Sequence, residues 1–131
     1  IDNLTRLYSY QRNGHYLKKA EIIITSLGLE SAKNIFSHAS FFAAKDFCEN
    51  YAEIIIFPSS QNENPTALIA ECLRLSAPHK IIHLYTDQEP CKTHPAYGKR
   101  AINDRDTYYL CRHRTCSQPV FAVNELKTLL K

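Results

Sequence analysis

Glu53-Ile54-Ile55-Ile56-Phe57 is the stretch that decides the fold. A continuous apolar run of this kind is the pattern of a β-strand buried on both faces, and such strands belong to parallel sheets covered by helices. The residues after it agree. Ser59 to Asn64 is a polar loop, and Asn64-Pro65 sets a capping residue before a proline, which suits the first turn of a helix. Leu68, Ile69, Cys72, Leu73 and Leu75 then recur at helical spacing to about Ser76. Lys80-Ile-Ile-His-Leu-Tyr85 reads as a second strand. Strand, helix and strand make a βαβ unit, which predicts parallel strands and a right-handed crossover.

Working outward, residues 3–12 carry Leu4, Leu7, Tyr8 and Gln11 at helical spacing up to Asn13-Gly14, a good terminating pair. A second helix places Tyr16, Leu17, Ala20, Ile23, Ile24 and Leu27 in one stripe, and Gly28 is expected to end it. A third, from Ser31 to Asn50, turns Ile35, Phe36, Ala39, Phe42, Ala43 and Phe47 inward. Beyond the βαβ unit, residues 86–106 read as a long polar loop, Thr107 to Cys111 as a third strand, and Asn124 to Lys131 as a closing helix. The expected fold class is α/β. Residues 1–50 form helical hairpins packed on residues 51–131, a small module with a mainly parallel three-stranded sheet. Its strand order is 2-1-3 or 3-1-2.

Bulk properties bound the function. A chain of 131 residues and 15.1 kDa, 44% hydrophobic and 22% charged, has the composition of an ordinary globular protein. A net charge of +3 is too small to argue for nucleic acid by itself. The longest apolar runs fall far short of the roughly 20 residues that span a bilayer, and Asp2, Asn3 and Arg6 interrupt any signal-peptide pattern. No membrane association is expected. Five cysteines form an odd set, with Cys48 and Cys72 on apolar helix faces, which points to a reducing, cytoplasmic-type compartment. The chain contains no methionine and opens inside a helical pattern, so a fragment, a processed product and an excised domain are all open readings of its ends.

The densest set of chemically capable residues is Thr107-Tyr-Tyr-Leu-Cys111-Arg-His-Arg-Thr-Cys116-Ser-Gln-Pro119-Val120. If the third strand runs parallel to the others, Cys111 lies at its carboxyl end. Ser59, Ser60, Asp87, Arg112, His113 and Arg114 then share the edge where open α/β sheets bind ligands. The turn can bring Cys111 and Cys116 within disulfide reach, and the basic neighbours favour thiolate. The spacing is not Cys-x-x-Cys, so a structural pair and a redox pair both stand. Cys91, His94, Cys111, His113 and Cys116 also offer enough soft ligands for a tetrahedral zinc site, a weaker reading. Lys99, Arg100, Arg105, Arg112 and Arg114, interleaved with Tyr97, Tyr108 and Tyr109, suit phosphate contact and base stacking. Asp104 and Asp106 offset that charge, so a solvated rim is the better reading and nucleic-acid binding is disfavoured. His38 and His83 read as interior or rim residues. Nucleophile-elbow, dinucleotide and phosphate-loop motifs are absent, and no cofactor is expected.

The order of these features resembles the C-terminal end of the spermatogenesis-associated, thioredoxin-like protein family. The resemblance rests on the Phe-rich helix, Glu-Ile-Ile-Ile, Asn-Pro before a helix and Pro-His-Lys-Ile-Ile-His-Leu. It continues through Tyr-Tyr-Leu-Cys111-Arg112-x-x-x-Cys116-x-x-Pro119-Val120 to a final Glu-Leu-x-x-Leu-Leu. Such proteins join a thioredoxin-like domain to an (α/α)6 barrel and a small terminal α/β segment. The chain departs where the family places Thr or Ser, an acidic residue and proline; here Phe121-Ala122-Val123 supplies no capping side chain. The resemblance implies a non-catalytic C-terminal module that packs against the barrel or thioredoxin-like portion, or against itself. Two alternatives remain: a thiol redox auxiliary using Cys111 and Cys116, and a module binding a small ligand or nucleic acid at a basic edge.

Overall fold

The structure is a computed structural model that describes residues 1–130. Two units divide at Tyr51 and Ala52. In the second unit the apolar run becomes β1 (Ala52–Phe57), with every residue buried. Helix α4 (Thr66–Leu73) carries the chain across to β2 (Lys80–Leu84), which pairs parallel to β1 from Ala52↔Lys80 to Ile56↔Leu84. The expected βαβ unit is present.

The next strand corrects the sequence reading. β3 (Thr107–Arg112) pairs antiparallel to β1, with Phe57 opposite Thr107 and Glu53 opposite Cys111. The reason lies in the connection. β2 ends beside the end of β1, and a parallel third strand would need a crossover to carry the chain back to the far end of the sheet. Residues 85–106 contain no helix and no such crossover, so the chain re-enters the sheet at the end where it left. A fourth strand, β4 (Thr115–Cys116), pairs with β3 through Cys111↔Cys116 and Arg112↔Thr115. The sheet therefore has four strands in the order β2-β1-β3-β4, and it is mixed rather than mainly parallel and three-stranded. The order 2-1-3 within it agrees with expectation.

Alternation along β1 gives the sheet two different faces. Ala52, Ile54 and Ile56, with Tyr108 and Leu110 of β3, pack on Leu68 and Cys72 of α4 and on Leu126 of α5 (Val123–Leu129). Burial in that layer pushes the Cys72 thiol up to about 11, reinforced by the charge of Glu71. The opposite face holds Ile55, Phe57, Tyr109 and Cys111, covered by Ala96 and Ala101 from the long loop. Aromatic rings fill it: Phe57 stands edge-on to Tyr109 at 6.0 Å and stacks on Tyr85 at 5.7 Å.

The first unit is helical: α1 (Asp2–Gln11), α2 (Gly14–Lys33), a 3-10 turn (Phe36–His38) and α3 (Ala39–Asn50). Asn13 caps α2 by accepting from the backbone N–H of His15 at 3.0 Å. Gly28 does not end α2, which runs through it to Lys33. A mid-helix glycine costs only about 1 kcal/mol, and the surrounding residues keep the helical pattern. The helix stops at Asn34, whose side chain accepts from the backbone of Ser37 at 3.2 Å and starts the next turn. Ile35 and Phe36 fall in that connection and face outward, contrary to expectation, with Phe36 96% exposed. Ala20 and Phe47 are the buried apolar residues of the first unit.

Candidate functional site

Glu53, the second residue of β1, lies on the same face as Ile55 and Phe57, and His83 of β2 lies on that face beside it. The long loop brings His94 to the same place. Turns formed by His94 N–H donating to Cys91 O at 2.8 Å, and Tyr97 N–H donating to His94 O at 2.9 Å, aim its ring inward. Glu53 Oε1 is 3.8 Å from His83 Nε2, and Glu53 Oε2 is 3.7 Å from His94 Nε2. All three side chains are buried. The imidazoles meet edge-on at 5.5 Å, and His83 stacks on Tyr85 at 6.0 Å.

By residue type, two histidines and a carboxylate whose ligand atoms lie within 4.8 Å of one another make a metal-ligand set. The tautomer of His94 argues otherwise. Its Nδ1 accepts the backbone N–H of Ala96 at 3.0 Å, so that nitrogen holds a lone pair and the neutral ring carries its proton on Nε2. A metal-binding histidine normally donates from the nitrogen that is not bound to the metal. Here the nitrogen facing Glu53 bears hydrogen. The separations of 3.7 and 3.8 Å are longer than hydrogen bonds, so the three groups meet as a buried, closely packed polar cluster.

Cys111 sits directly opposite Glu53 across β1 and β3. Side chains so paired have Cβ atoms about 4.5–5.5 Å apart. Cys111 is in turn bonded to Cys116 across β3 and β4, with Cα atoms 3.9 Å apart. Cys111 is 1% exposed, while Cys116 is half-buried on the edge strand. The disulfide and the Glu53 cluster therefore occupy one end of one sheet face. Arg112, His113 and Arg114 form the exposed tip of the same hairpin, and Arg112 donates to Leu130 O at 3.3 Å.

At the other end of the strands lies a cleft of about 790 Å³, lined among others by Ser59, Ser60, Asp87, Lys99, Arg100 and Asp104. Its rim is latched. The backbone of Ser59 donates to Asp106 at 2.7 Å, and the backbone and hydroxyl of Ser60 donate to Asp104 at 2.7 and 2.9 Å. Those bonds, the backbone one first, hold the Asp104 carboxyl below its ordinary value. Lys99 and Arg100 share the cleft with Asp87, Glu89 and Asp104, so it is of mixed charge rather than basic.

The edge expected from sequence is thus split. Ser59, Ser60 and Asp87 stay together, but the reversal of β3 takes Arg112, His113 and Arg114 to the opposite end. Nor does the proposed zinc set assemble. Cys111 and Cys116 are bonded to each other, Cys91 is exposed beside Thr93, and His94 turns inward to Glu53. Among the described residues, Glu53, His83 and His94 are the group with metal-ligand spacing. Sequence reading passed over Glu53 and took His83 as an interior or rim residue rather than a site residue; it is interior, 4% exposed. The signal was available: counted by twos, Glu53-x-Ile55-x-Phe57 and His83-x-Tyr85 place an acid and an imidazole on facing strands. Comparison with protein families, curated proteins and solved structures returns no match for this chain.

Proposed function

We propose that this chain is a non-catalytic α/β module, the C-terminal part of a thioredoxin-like, (α/α)6-barrel family protein, and that it works by packing against a larger helical surface. The observation that carries this reading is the outward apolar side chains between Ile22 and Phe36. Leu29 is 82% exposed, Ile35 63% and Phe36 96%, with Ile22 and Leu27 also exposed. Apolar exposure on this scale marks an interaction surface. The test is light scattering and dye binding on the wild type and on the double variant Leu29→Asp, Phe36→Asp. Association or dye fluorescence that the variant abolishes, with helicity kept, is the expected result. A wild type that stays monomeric at high concentration and binds no dye overturns the reading.

A thiol–disulfide exchange role for Cys111 and Cys116 is favoured by a separate observation, the bond joining them at the sheet edge. The unpaired remainder, Cys48, Cys72 and Cys91, supports a cytoplasmic setting. Disulfides in such a compartment are usually transient and catalytic or redox-sensing. Thiol titration with intact mass, before and after mild reduction of the folded protein, tests it. A reversible two-proton mass change is expected, and reduction only after unfolding overturns it.

A further inference from the structure

We propose that the cleft beside Phe57 and Tyr85 binds a short peptide with both ends free, about three residues long, by holding its charged ends on opposite sides of β1. The site is separate from the packing surface between Ile22 and Phe36, because every residue lining it lies in the second unit. β1 and β2 are parallel, and the cleft opens at Phe57-Pro58 and Tyr85-Thr86, where their carboxyl ends leave the sheet. That is the edge where open α/β sheets receive ligands. A volume of about 790 Å³ falls within the range of small-molecule sites. Its rim is already fixed by the bonds from Ser60 to Asp104, so a ligand meets a formed site and little ordering is left to oppose binding.

The charges of the cleft are sorted by the sheet. Asp87 and Glu89 follow directly on β2. Lys99 and Arg100 lie on the β3 side: Lys99 Nζ sits over the Tyr109 ring at 4.7 Å, and the Tyr109 hydroxyl donates to Arg100 O at 3.4 Å. In the order β2-β1-β3, an acidic wall and a basic wall therefore flank the end of β1. Among the described residues, the side chains of Asp87, Glu89, Lys99 and Arg100 enter no hydrogen bond or ion pair, whereas Ser59, Ser60 and Asp104 satisfy one another. Carboxylates and cations in equal number disfavour a strongly anionic or cationic ligand. They fit one that carries both charges, held apart. β2 and β3 stand two strand spacings from each other, about 10 Å. A single amino acid holds both charges on one α-carbon, while three extended residues span about 10 Å. Between the walls the floor is apolar, with Phe57 and Tyr85 stacked at 5.7 Å, and it receives the central side chain of the peptide.

The experiment is a nuclear magnetic resonance titration of the full chain with a tripeptide of alanine, phenylalanine and alanine, free at both ends, and with its N-acetylated and C-amidated forms. The free tripeptide is expected to shift the amides around Tyr85 and Lys99, and each block to weaken binding about tenfold, the scale of one charge-assisted contact. Arg100→Ala is expected to weaken the free tripeptide by the same factor and to make C-amidation without further effect. The pair Asp87→Asn, Glu89→Gln is expected to do the same for N-acetylation. Phenylalanine alone is expected to bind more weakly than the tripeptide; equal affinity overturns the assigned length. No shift at millimolar free tripeptide overturns the site, and equal affinity for free and blocked forms overturns the assignment of its walls. Binding that none of these substitutions changes lies elsewhere and overturns the proposal too. The substituted side chains are exposed and unpartnered, so the variants are expected to keep the wild-type melt; should one unfold, the blocked peptides on the wild type decide.

Discussion

His113 and Arg114 join β3 to β4 with φ of 46° and 68°, both in the left-handed region. A two-residue turn of this hand matches strand twist, but it is usually made by asparagine and glycine, because other residues pay about 1–2 kcal/mol each there. Arg114→Gly is therefore expected to raise stability by up to about 1 kcal/mol, once glycine's extra freedom in the unfolded chain is deducted. A urea midpoint shift checks this. The same chemistry explains why the hairpin was illegible in sequence: His-Arg carries no turn signal, so the fourth strand passed unread. Asp104 gives a second residue-scale prediction. Its folded-state carboxyl lies below the ordinary 3.8, so the folded form binds its proton more weakly than the unfolded form does. Its contribution is present above 3.8 and lost as pH falls through the lower folded value. The stability gap between wild type and Asp104→Asn, read from urea melts, is expected to close over that acid range and to stay constant above it.

At the scale of elements, β1, α4 and β2 were legible because each carries a strong local pattern, namely the run Ile54-Ile55-Ile56, the helical stripe through Leu68 and Cys72, and the run from Lys80. The cap expected of Asn64 does not form, because α4 starts at Thr66 after Pro65 and Asn64 accepts from the Thr66 hydroxyl instead. The direction of β3 was not, because Thr107–Cys111 looks the same read either way; only the missing crossover helix before it carries that information. His94 was hidden for a related reason: its position depends on how an irregular loop folds back, which no period encodes. Helix α5 closes one face by inserting Leu126, which is fully buried between α5 and β3. Leu126→Ala is expected to cost about 2–5 kcal/mol, measured by denaturant unfolding. Cys72 tests the same layer chemically. With its thiol raised to about 11 and no exposure, it is expected to react with a thiol reagent far more slowly than exposed Cys91 in the folded protein.

For the molecule as a whole, the two units are unequal in core. The second contains both packed clusters, whereas the buried apolar residues of the first are Ala20 and Phe47. Residues 52–131 are expected to unfold cooperatively when expressed alone, and residues 1–51 to be only marginally folded by the same circular-dichroism melt, since about 50 residues with so small a core fall short of offsetting chain entropy. The reversal of β3 has a further consequence. Between Thr107, the strand partner of cleft-lining Phe57, and Cys111 at the disulfide lie four steps of extended chain, about 14 Å at strand spacing. One strand thus acts as an insulating spacer. Changes at Asp104 and at Cys116 are expected to add in free energy rather than couple, so the fold can be altered at either terminus of the sheet without the other registering it.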